Sequence, residues 1–338
     1  MSTATGTHTV IPSMPKVDVH PDAGGTAEAV RTIARRPWSR MDPAKLVFPI
    51  TQTTWEERAL LYWVASAYYK GEGAIIDAGC LAGSSTHALG LGLLENPRVG
   101  AAKMLHAYDL FRFEDYMRGA FSTIGEGGRA VGESFLDLFE RLTAEVSGVT
   151  RVHAGDFLQE RWEVGAGGSG GGGPVEVLFV DLAKNWELER HCSATFLPAL
   201  IPGRSLLIQQ DYFHVWCPWI HLRMDLLREF VEFAAYVPSG TAVFVVKKPI
   251  PRHLSELDLR AHTTVPDQVA KLERAASAYT GDAWAFVTLA RAVLLVHHGL
   301  FDDALGVVAL VDAVEGLGAD IRSESAGIRS WISGRRGV

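Results

Sequence analysis

The sequence predicts an α/β fold built on a doubly wound, mostly parallel sheet of seven strands. The main observation is residues 75–86 (IIDAGCLAGSST), an apolar, β-branched run that ends in Asp77 and passes through small residues into an amphipathic stretch. This pattern is typical of a strand, a tight turn and a helix. Four further apolar runs predict parallel strands, at residues 104–109, 150–157, 175–181 and 203–211. A closing hairpin is predicted at residues 230–236 and 241–247, which are joined by Val-Pro-Ser-Gly.

Composition limits the class of protein. Hydrophobic residues make up 48% of the 338 residues and charged residues 21%, which is typical of a soluble globular protein. The net charge of -7 argues against a nucleic-acid partner and is compatible with a cationic substrate. No apolar run reaches membrane-spanning length and no signal peptide is recognisable, so we expect a cytoplasmic location without a membrane partner. The three cysteines lack metal-site spacing and are expected to be reduced thiols.

The first turn indicates a small-molecule ligand. Gly79 and Gly83 allow backbone to approach a ligand where a Cβ would collide, and the following helix start attracts anionic groups. Nicotinamide or flavin binding would favour Gly-x-Gly-x-x-Gly, whereas this sequence has Asp-x-Gly-x-x-x-Gly-x-Ser. A pyrophosphate needs no carboxylate ahead of the first glycine, but a ligand with an ammonium group does.

This motif resembles the first motif of the class I S-adenosylmethionine-dependent methyltransferases. The resemblance implies S-adenosyl-L-methionine as cofactor and a Rossmann-like methyltransferase sheet over roughly residues 54–250, with the last strand antiparallel. The cofactor-binding residues expected from it are Asp77, Gly79, Gly83, Ser85, Asp109 and Asp156. Asp77 would lie near the methionine moiety, Asp109 would accept hydrogen bonds from the ribose hydroxyls, and Asp156 would contact adenine. Taken alone, Asp156 is equally well explained as a turn residue or helix cap.

The chain is predicted to have three parts. Residues 1–52 are expected to form a flexible arm, or a lid that orders over a ligand, and residues 53–250 the cofactor-binding domain. Residues 251–338 are predicted to be a helical extension, whose segments 282–298 and 302–314 are similar to one tetratricopeptide hairpin. One such unit cannot bury its own face, so we expect it to pack on the domain or to form a homodimer. The glycine-rich residues 165–173 predict a flexible insertion.

Local patterns predict helices around the sheet. Residues 54–69 begin with a threonine cap and acids in the first turn, and residues 132–146 place apolar side chains at helical spacing. The aromatic residues of the second segment are expected in the core. Helices are also predicted at residues 186–200 and 220–230.

The ends of the fourth and fifth strands predict the acceptor site, because ligands of open α/β sheets bind beyond the carboxyl ends of the strands. The candidate catalytic residues there are Asp181, Lys184, Asp211 and His214. The segment resembles the metal-binding half of the catechol and macrocin O-methyltransferases. That resemblance implies Asp181 and Asp211 as magnesium ligands and Lys184 as the base, but Gln210 stands where the family has an acid. Because Mg²⁺ prefers carboxylates, we expect a metal-free site, with Asp181, Gln210 and Asp211 as the ligands if Mg²⁺ binds. Lys184 and His214 are equally well explained as an exposed lysine and a loop histidine.

Aromatic side chains follow the fifth strand. Together with Gln210, the expected substrate-binding residues are Tyr212, Trp216 and Trp219. Aromatic rings beside carboxylates suit a sugar or another polyhydroxylated ring, although the same rings would also serve as core under a folded loop.

These observations predict a methyltransferase of natural-product or antibiotic biosynthesis that acts on a small sugar-like acceptor. The preferred reaction is N-methylation of an amino sugar or aminoglycoside. The alternatives are a Mg²⁺-dependent O-methyltransferase acting on a sugar hydroxyl or phenol, a cofactor-binding interaction protein without turnover and, least favoured, a nicotinamide enzyme.

Overall fold

A computed structural model of the chain describes residues 24–99, 104–162, 172–238 and 240–336. Within these ranges the chain divides into two compact units, a sheet unit within residues 21–212 and 227–258 and a helical unit within residues 213–226 and 259–338. Residues 1–23 and most of the glycine-rich segment lie outside the described residues.

The sheet unit is built on seven strands in the order β3-β2-β1-β4-β5-β7-β6. The first five strands pair in parallel, whereas β7 pairs antiparallel with both β5 and β6. The predicted doubly wound, mostly parallel sheet of seven strands is therefore confirmed. The strands are β1 (Ala74–Ala78), β2 (Leu105–Asp109), β3 (Thr150–Ala154), β4 (Val175–Val180), β5 (Leu206–Gln209), β6 (Val231–Val237) and β7 (Thr241–Val246).

The central strands form the core of this unit. Every residue of β1, β4, β5 and β7 is buried, as expected for strands covered on both faces. One large cluster joins apolar residues of these strands to the first three helices. The α-helices of the sheet unit are α1 (Gly24–Ala34), α2 (Trp55–Trp63), α3 (Ser84–Glu95), α4 (Arg118–Ser122), α5 (Leu136–Leu142), α6 (Trp186–Phe196) and α8 (Arg252–Ser255).

The segment before α2 is folded onto the sheet unit, which differs from the predicted flexible arm. Ile33, Trp38 and Leu46 are at most 1% exposed and belong to the same core cluster as the strands. Burying such side chains stabilises the segment by roughly 1.5–3 kcal/mol each, enough to order residues that composition alone describes as polar. The prediction of an arm thus fails from residue 24 onward.

Two predicted helices are α-helical over only part of their length and continue as other helical turns. Thr54 and Glu57 form a capping box at the start of α2, and a π-helical turn, Val64–Tyr68, follows its last residue. Within the predicted helix at residues 132–146, α5 is followed by a short 3₁₀ helix, Ala144–Val146. Its aromatic residues are core as predicted, since Phe135 and Phe139 are fully buried.

The helical unit consists of six helices among the described residues. It has its own core, in which Val215 packs with the apolar faces of the later helices, and the predicted hairpin is observed as α11 and α12. The helices are α7 (Pro218–Leu226), α9 (Leu259–His262), α10 (Val265–Ala276), α11 (Gly281–His297), α12 (Phe301–Asp312) and α13 (Ala319–Arg336).

The unit boundary differs from the predicted break at residue 250. Residues 213–226, expected inside the cofactor domain, belong to the helical unit. The Asp225 carboxylate accepts two hydrogen bonds from the Arg274 guanidinium, at 2.7 and 2.8 Å, which ties α7 to α10. None of the helices formed by the described residues combines the length and the apolar character that crossing a bilayer requires.

Candidate active site

The turn between β1 and α3 has the left-handed backbone conformation that favours glycine, and contacts within the protein account for it. Gly79 and Gly83 have φ values of +99° and +101°. A Cβ on Gly79 would lie 2.7 Å from the carbonyl carbon of Asp181, and one on Gly83 would collide with Thr143 and Phe139. Both glycines are therefore required by the packing of the protein itself, in addition to any role they have toward a ligand.

Asp77 is fully buried at the end of β1. Its carboxylate accepts hydrogen bonds from the Ser85 hydroxyl at 2.9 Å and the Thr86 hydroxyl at 2.5 Å, both in the first turn of α3. Burial raises the pKa of Asp77 to about 7, although both hydroxyl donors oppose the shift. The two predicted cofactor residues Asp77 and Ser85 thus contact each other in this structure.

Asp109 joins the end of β2 to the same turn. One carboxylate oxygen accepts from the Leu81 amide and the other from the Phe111 amide, each at 2.8 Å. Burial raises the pKa of Asp109, and the amides oppose that effect. The Leu110 amide acts in the same direction as these two amides. Because the two oxygens have four lone pairs together, the carboxylate can accept at least one further hydrogen bond.

Asp156 is exposed after β3 and caps a short 3₁₀ helix through the Leu158 amide, at 3.0 Å. The simple explanation as a helix cap therefore accounts for what the structure shows. Its contact with adenine stays a prediction.

The ends of β4 and β5 bring four predicted residues together. The Lys184 ammonium donates to Asp181 at 2.6 Å and also to Asp211. With its amide nitrogen turned toward the carboxylates, Gln210 donates to Asp181 at 3.1 Å and to Asp211 at 2.7 Å. The two acids are thus bridged twice, by an ammonium and by an amide.

The charges of this cluster follow from its burial. Burial raises the pKa of Asp181 to about 7, more than the Lys184 ammonium lowers it, and Asp211 adds to the increase. Burial also acts to lower the pKa of Lys184, but the two carboxylates outweigh it and raise that pKa above its ordinary value. Lys184 is therefore protonated near neutral pH and acts as the cation of the cluster.

A third acid near the cluster was not expected from the sequence as a site residue. Glu57 is 1% exposed, caps α2 through Thr54 and accepts a hydrogen bond from the Thr241 hydroxyl. Its charge also raises the pKa of Asp181. The sequence offered one signal, an acid at the third position after a threonine cap, and that signal is explained by capping alone.

The segment before α2 also contacts the turn. The Thr51 hydroxyl donates to Ser84, the first residue of α3, at 3.0 Å, and Arg58 donates to Thr51 at 3.1 Å. Residues predicted to be a flexible arm thus hold the start of the helix that follows the glycine turn.

The predicted acceptor-side aromatics do not all belong to one unit. Tyr212, 4% exposed, packs in the sheet unit with its ring 5.3 Å from that of Phe244. His214, Trp216 and Trp219 belong to the helical unit. His214 is exposed, the Trp216 indole donates to Glu324 at 2.9 Å, and Trp219 is 4% exposed. For the two tryptophans, packing within the helical unit accounts for the observed surroundings, and their contact with substrate stays a prediction.

The cluster is a poor fit for a divalent cation as it stands. Two carboxylates and one amide oxygen are ligand types that Mg²⁺ accepts. However, the Lys184 ammonium already contacts both carboxylates, and a metal ion would have to displace it. Among the described residues, no group of three or more histidine, cysteine, aspartate or glutamate side chains could hold a metal.

No protein-family model and no curated protein matches the chain. Solved structures with a similar fold include the O-methyltransferase NovP (12% identity, TM-score 0.42, 66% of this chain and 100% of that one). Another is the calicheamicin methyltransferase CalS11, with 13% identity and a TM-score of 0.41 over 72% of this chain and 99% of that one. A third is a methyltransferase from Geobacter sulfurreducens, with 14% identity and a TM-score of 0.32 over 68% of this chain and 92% of that one.

Proposed function

We propose that the protein is an S-adenosylmethionine-dependent methyltransferase acting on a small polar acceptor bound beside Asp181 and Asp211. One observation supports this most directly. The glycine turn is joined on one side to Asp109, by the Leu81 amide, and packs on the other side against the backbone of Asp181. A ligand in this turn therefore lies between an acid suited to a ribose and the acid pair of the acceptor site.

The residues present fit the cofactor. Asp109 can accept a further hydrogen bond from a hydroxyl donor, and the N-terminus of α3 offers positive potential to a carboxylate. When bound, S-adenosylmethionine supplies a methyl group already activated by its sulfonium. The protein must then align the acceptor, exclude water and remove a proton from the acceptor nitrogen or oxygen.

We assign the removal of that proton to a carboxylate. Lys184 is protonated in this arrangement, so it cannot accept a proton without first losing one. Asp181, whose burial raises its pKa to about 7, has the affinity for a proton that a general base needs near neutral pH. Lys184 and Gln210 then hold the acid pair in place.

An amine is the preferred acceptor. The acid pair already binds one ammonium, that of Lys184, and the ammonium of a substrate would make the same contacts by displacing it. Neutralising an amine costs about 1.4 kcal/mol for each pKa unit above the ambient pH, far less than ionising an alcohol. An amino sugar, including an aminoglycoside, combines such an ammonium with a polyhydroxylated ring.

The experiment is a methylation assay with amino sugars, neutral sugars and catechols, each with Mg²⁺ and with a chelator. We expect methylated amino sugar in the presence of the chelator and its loss in Asp181→Asn, with Asp303→Asn in the helical unit as a control for removal of an exposed carboxylate. Activity that requires Mg²⁺ and is confined to hydroxyl acceptors would favour the metal-dependent O-methyltransferase instead. Cofactor binding without any product would favour the non-catalytic alternative.

A further inference from the structure

Two helices of the described chain, α2 and α10, begin with a capping box, and the two boxes differ in the surroundings of the acid. At the start of α10, the Asp267 carboxylate is exposed and accepts a hydrogen bond from the Thr264 hydroxyl at 2.7 Å. At the start of α2, Glu57 is 1% exposed and accepts from the amide and the hydroxyl of Thr54, at 2.6 and 2.9 Å. The exposed box shows that capping does not require burial of the acid. Because burying a carboxylate is costly, the burial of Glu57 needs a second explanation.

The second oxygen of Glu57 leads to the acceptor site. Both contacts with Thr54 use Oε2, whereas Oε1 accepts a hydrogen bond from the hydroxyl of Thr241, the first residue of β7. Thr241 is fully buried, and its hydroxyl oxygen lies 3.3 Å from the carbonyl oxygen of Gln210. The single hydroxyl proton is thus shared between Glu57 and the backbone of Gln210, as in a three-centre hydrogen bond.

Gln210 carries this contact to the acid pair. Its backbone N–H donates to the carbonyl of Val180, the last residue of β4, at 3.0 Å. Its side-chain amide donates to Asp181 at 3.1 Å and to Asp211 at 2.7 Å. The amide can bridge both carboxylates only while the backbone of Gln210 keeps its position. A contact on the Gln210 carbonyl therefore acts on the acid pair.

We propose that Glu57 is a positioning residue of the acceptor site, which holds Gln210 through Thr241 and so keeps the acid pair aligned for the ammonium of the acceptor. This inference rests on the proposed function and adds to it a residue that acts through two others. Glu57 thereby couples the start of α2 to the ends of β4 and β5, where the acceptor is proposed to bind.

The charge of Glu57 has a second effect, which capping alone would not produce. Among the charged groups that act on Asp181, Lys184 lowers its pKa, whereas Asp211 and Glu57 raise it. Within α2, the neighbouring Arg58 is the cation on which the charge of Glu57 acts. Glutamine is also favoured at this position of a capping box, so Glu57→Gln keeps a hydrogen-bonding side chain there and removes only the charge.

The first test follows the Asp181 carboxyl directly and needs neither cofactor nor acceptor. The side-chain carboxyl signals of the aspartates are titrated by NMR from about pH 5 to about pH 9 in the wild type and Glu57→Gln, and Asp181→Asn assigns the signal. Asp267→Asn, which removes the acid of the exposed capping box, is the matched control.

The second test breaks the contact with Gln210. Methylation of the amino sugar accepted by the wild type is measured for Thr241→Val, which lacks the hydroxyl, and for Thr241→Ser, which keeps it. Because Thr241→Val leaves a buried carboxylate oxygen without its donor, urea denaturation first establishes that the variant is folded. If it is not, the titration of Glu57→Gln decides.

We expect Glu57→Gln to lower the pKa of Asp181 from about 7 by at least about 0.5, because a buried negative charge is removed, and Asp267→Asn to leave it unchanged. Thr241→Val should reduce kcat/KM by about tenfold or more, and Thr241→Ser should recover most of it. An unchanged pKa of Asp181 in Glu57→Gln, or equal kcat/KM for Thr241→Val and the wild type, would overturn the proposal. A wild type that methylates nothing would instead remove the proposed function, and the NMR titration would still decide the role of Glu57.

Discussion

The burial of Asp77 predicts a specific dependence of stability on pH. Its carboxyl is fully buried, and its pKa is about 7 in the folded protein, against about 3.9 in an unfolded chain. Because the folded pKa is raised, the stabilising contribution of this group is complete below the unfolded pKa and is lost as the pH rises through about 7. Asp77→Asn removes the titration while keeping the size of the side chain.

The expected magnitude follows from the two pKa values. Between about pH 5 and about pH 8, the wild type should lose about 2.5 kcal/mol of unfolding free energy relative to Asp77→Asn. Any constant difference, such as a poorer hydrogen bond from Ser85 or Thr86, shifts one curve without changing its slope against pH.

The assay is urea denaturation of both proteins at several pH values across that range. Asp156→Asn, at an exposed carboxyl on the same edge of the sheet, is the matched control and should give a curve parallel to that of the wild type. Parallel curves for the wild type and Asp77→Asn would show that Asp77 is already ionised in the folded protein at low pH. The account of its burial would then be wrong.

Three further predictions concern the glycine turn, the sheet edge and the acid cluster. Gly79→Ala should lower the unfolding free energy by roughly 3 kcal/mol or more in urea denaturation, because its Cβ would lie 2.7 Å from backbone and its φ is +99°. Gly148→Ala is the control and should be nearly neutral, because its Cβ would have no atom within 4 Å. Burial lowers the pKa of His153 to about 4, so the stability that its neutral side chain contributes above about pH 6.5 is lost as the pH falls toward 4. In urea denaturation near pH 4.5, His153→Phe should therefore lose about 2 kcal/mol less unfolding free energy than the wild type, relative to neutral pH. Equal acid sensitivity of the two proteins would contradict this. Lys184→Met leaves two carboxylates without their cation and should allow calorimetrically detectable Mg²⁺ binding that the wild type lacks; a heat signature equal to that of the wild type would contradict the assignment of Lys184 as the cation.

Much of the sheet unit could be predicted because its signals are local. Short apolar runs ending in acids mark the strands, and the Asp-x-Gly-x-x-x-Gly spacing marks the turn. The proximity of Asp181, Lys184, Gln210 and Asp211 followed from the same logic, since the carboxyl ends of neighbouring parallel strands meet at one edge.

The rest depends on contacts between residues distant in sequence. Trp38 and Leu46 lie in a stretch whose composition resembles a disordered arm, and only burial against the sheet unit's core reveals that it is folded. Val215 and Asp225 follow the fifth strand directly, yet their partners in the helical unit come at least 49 residues later.

The central claim is that the β1–α3 turn binds S-adenosylmethionine, and the most direct test is calorimetric titration of the full chain with S-adenosylhomocysteine and, separately, with a nicotinamide dinucleotide. We predict saturable binding of S-adenosylhomocysteine at one site per chain, weakened in Asp109→Asn because the ribose hydroxyls lose a charged acceptor. No binding of S-adenosylhomocysteine, or tighter binding of the dinucleotide, would contradict the account.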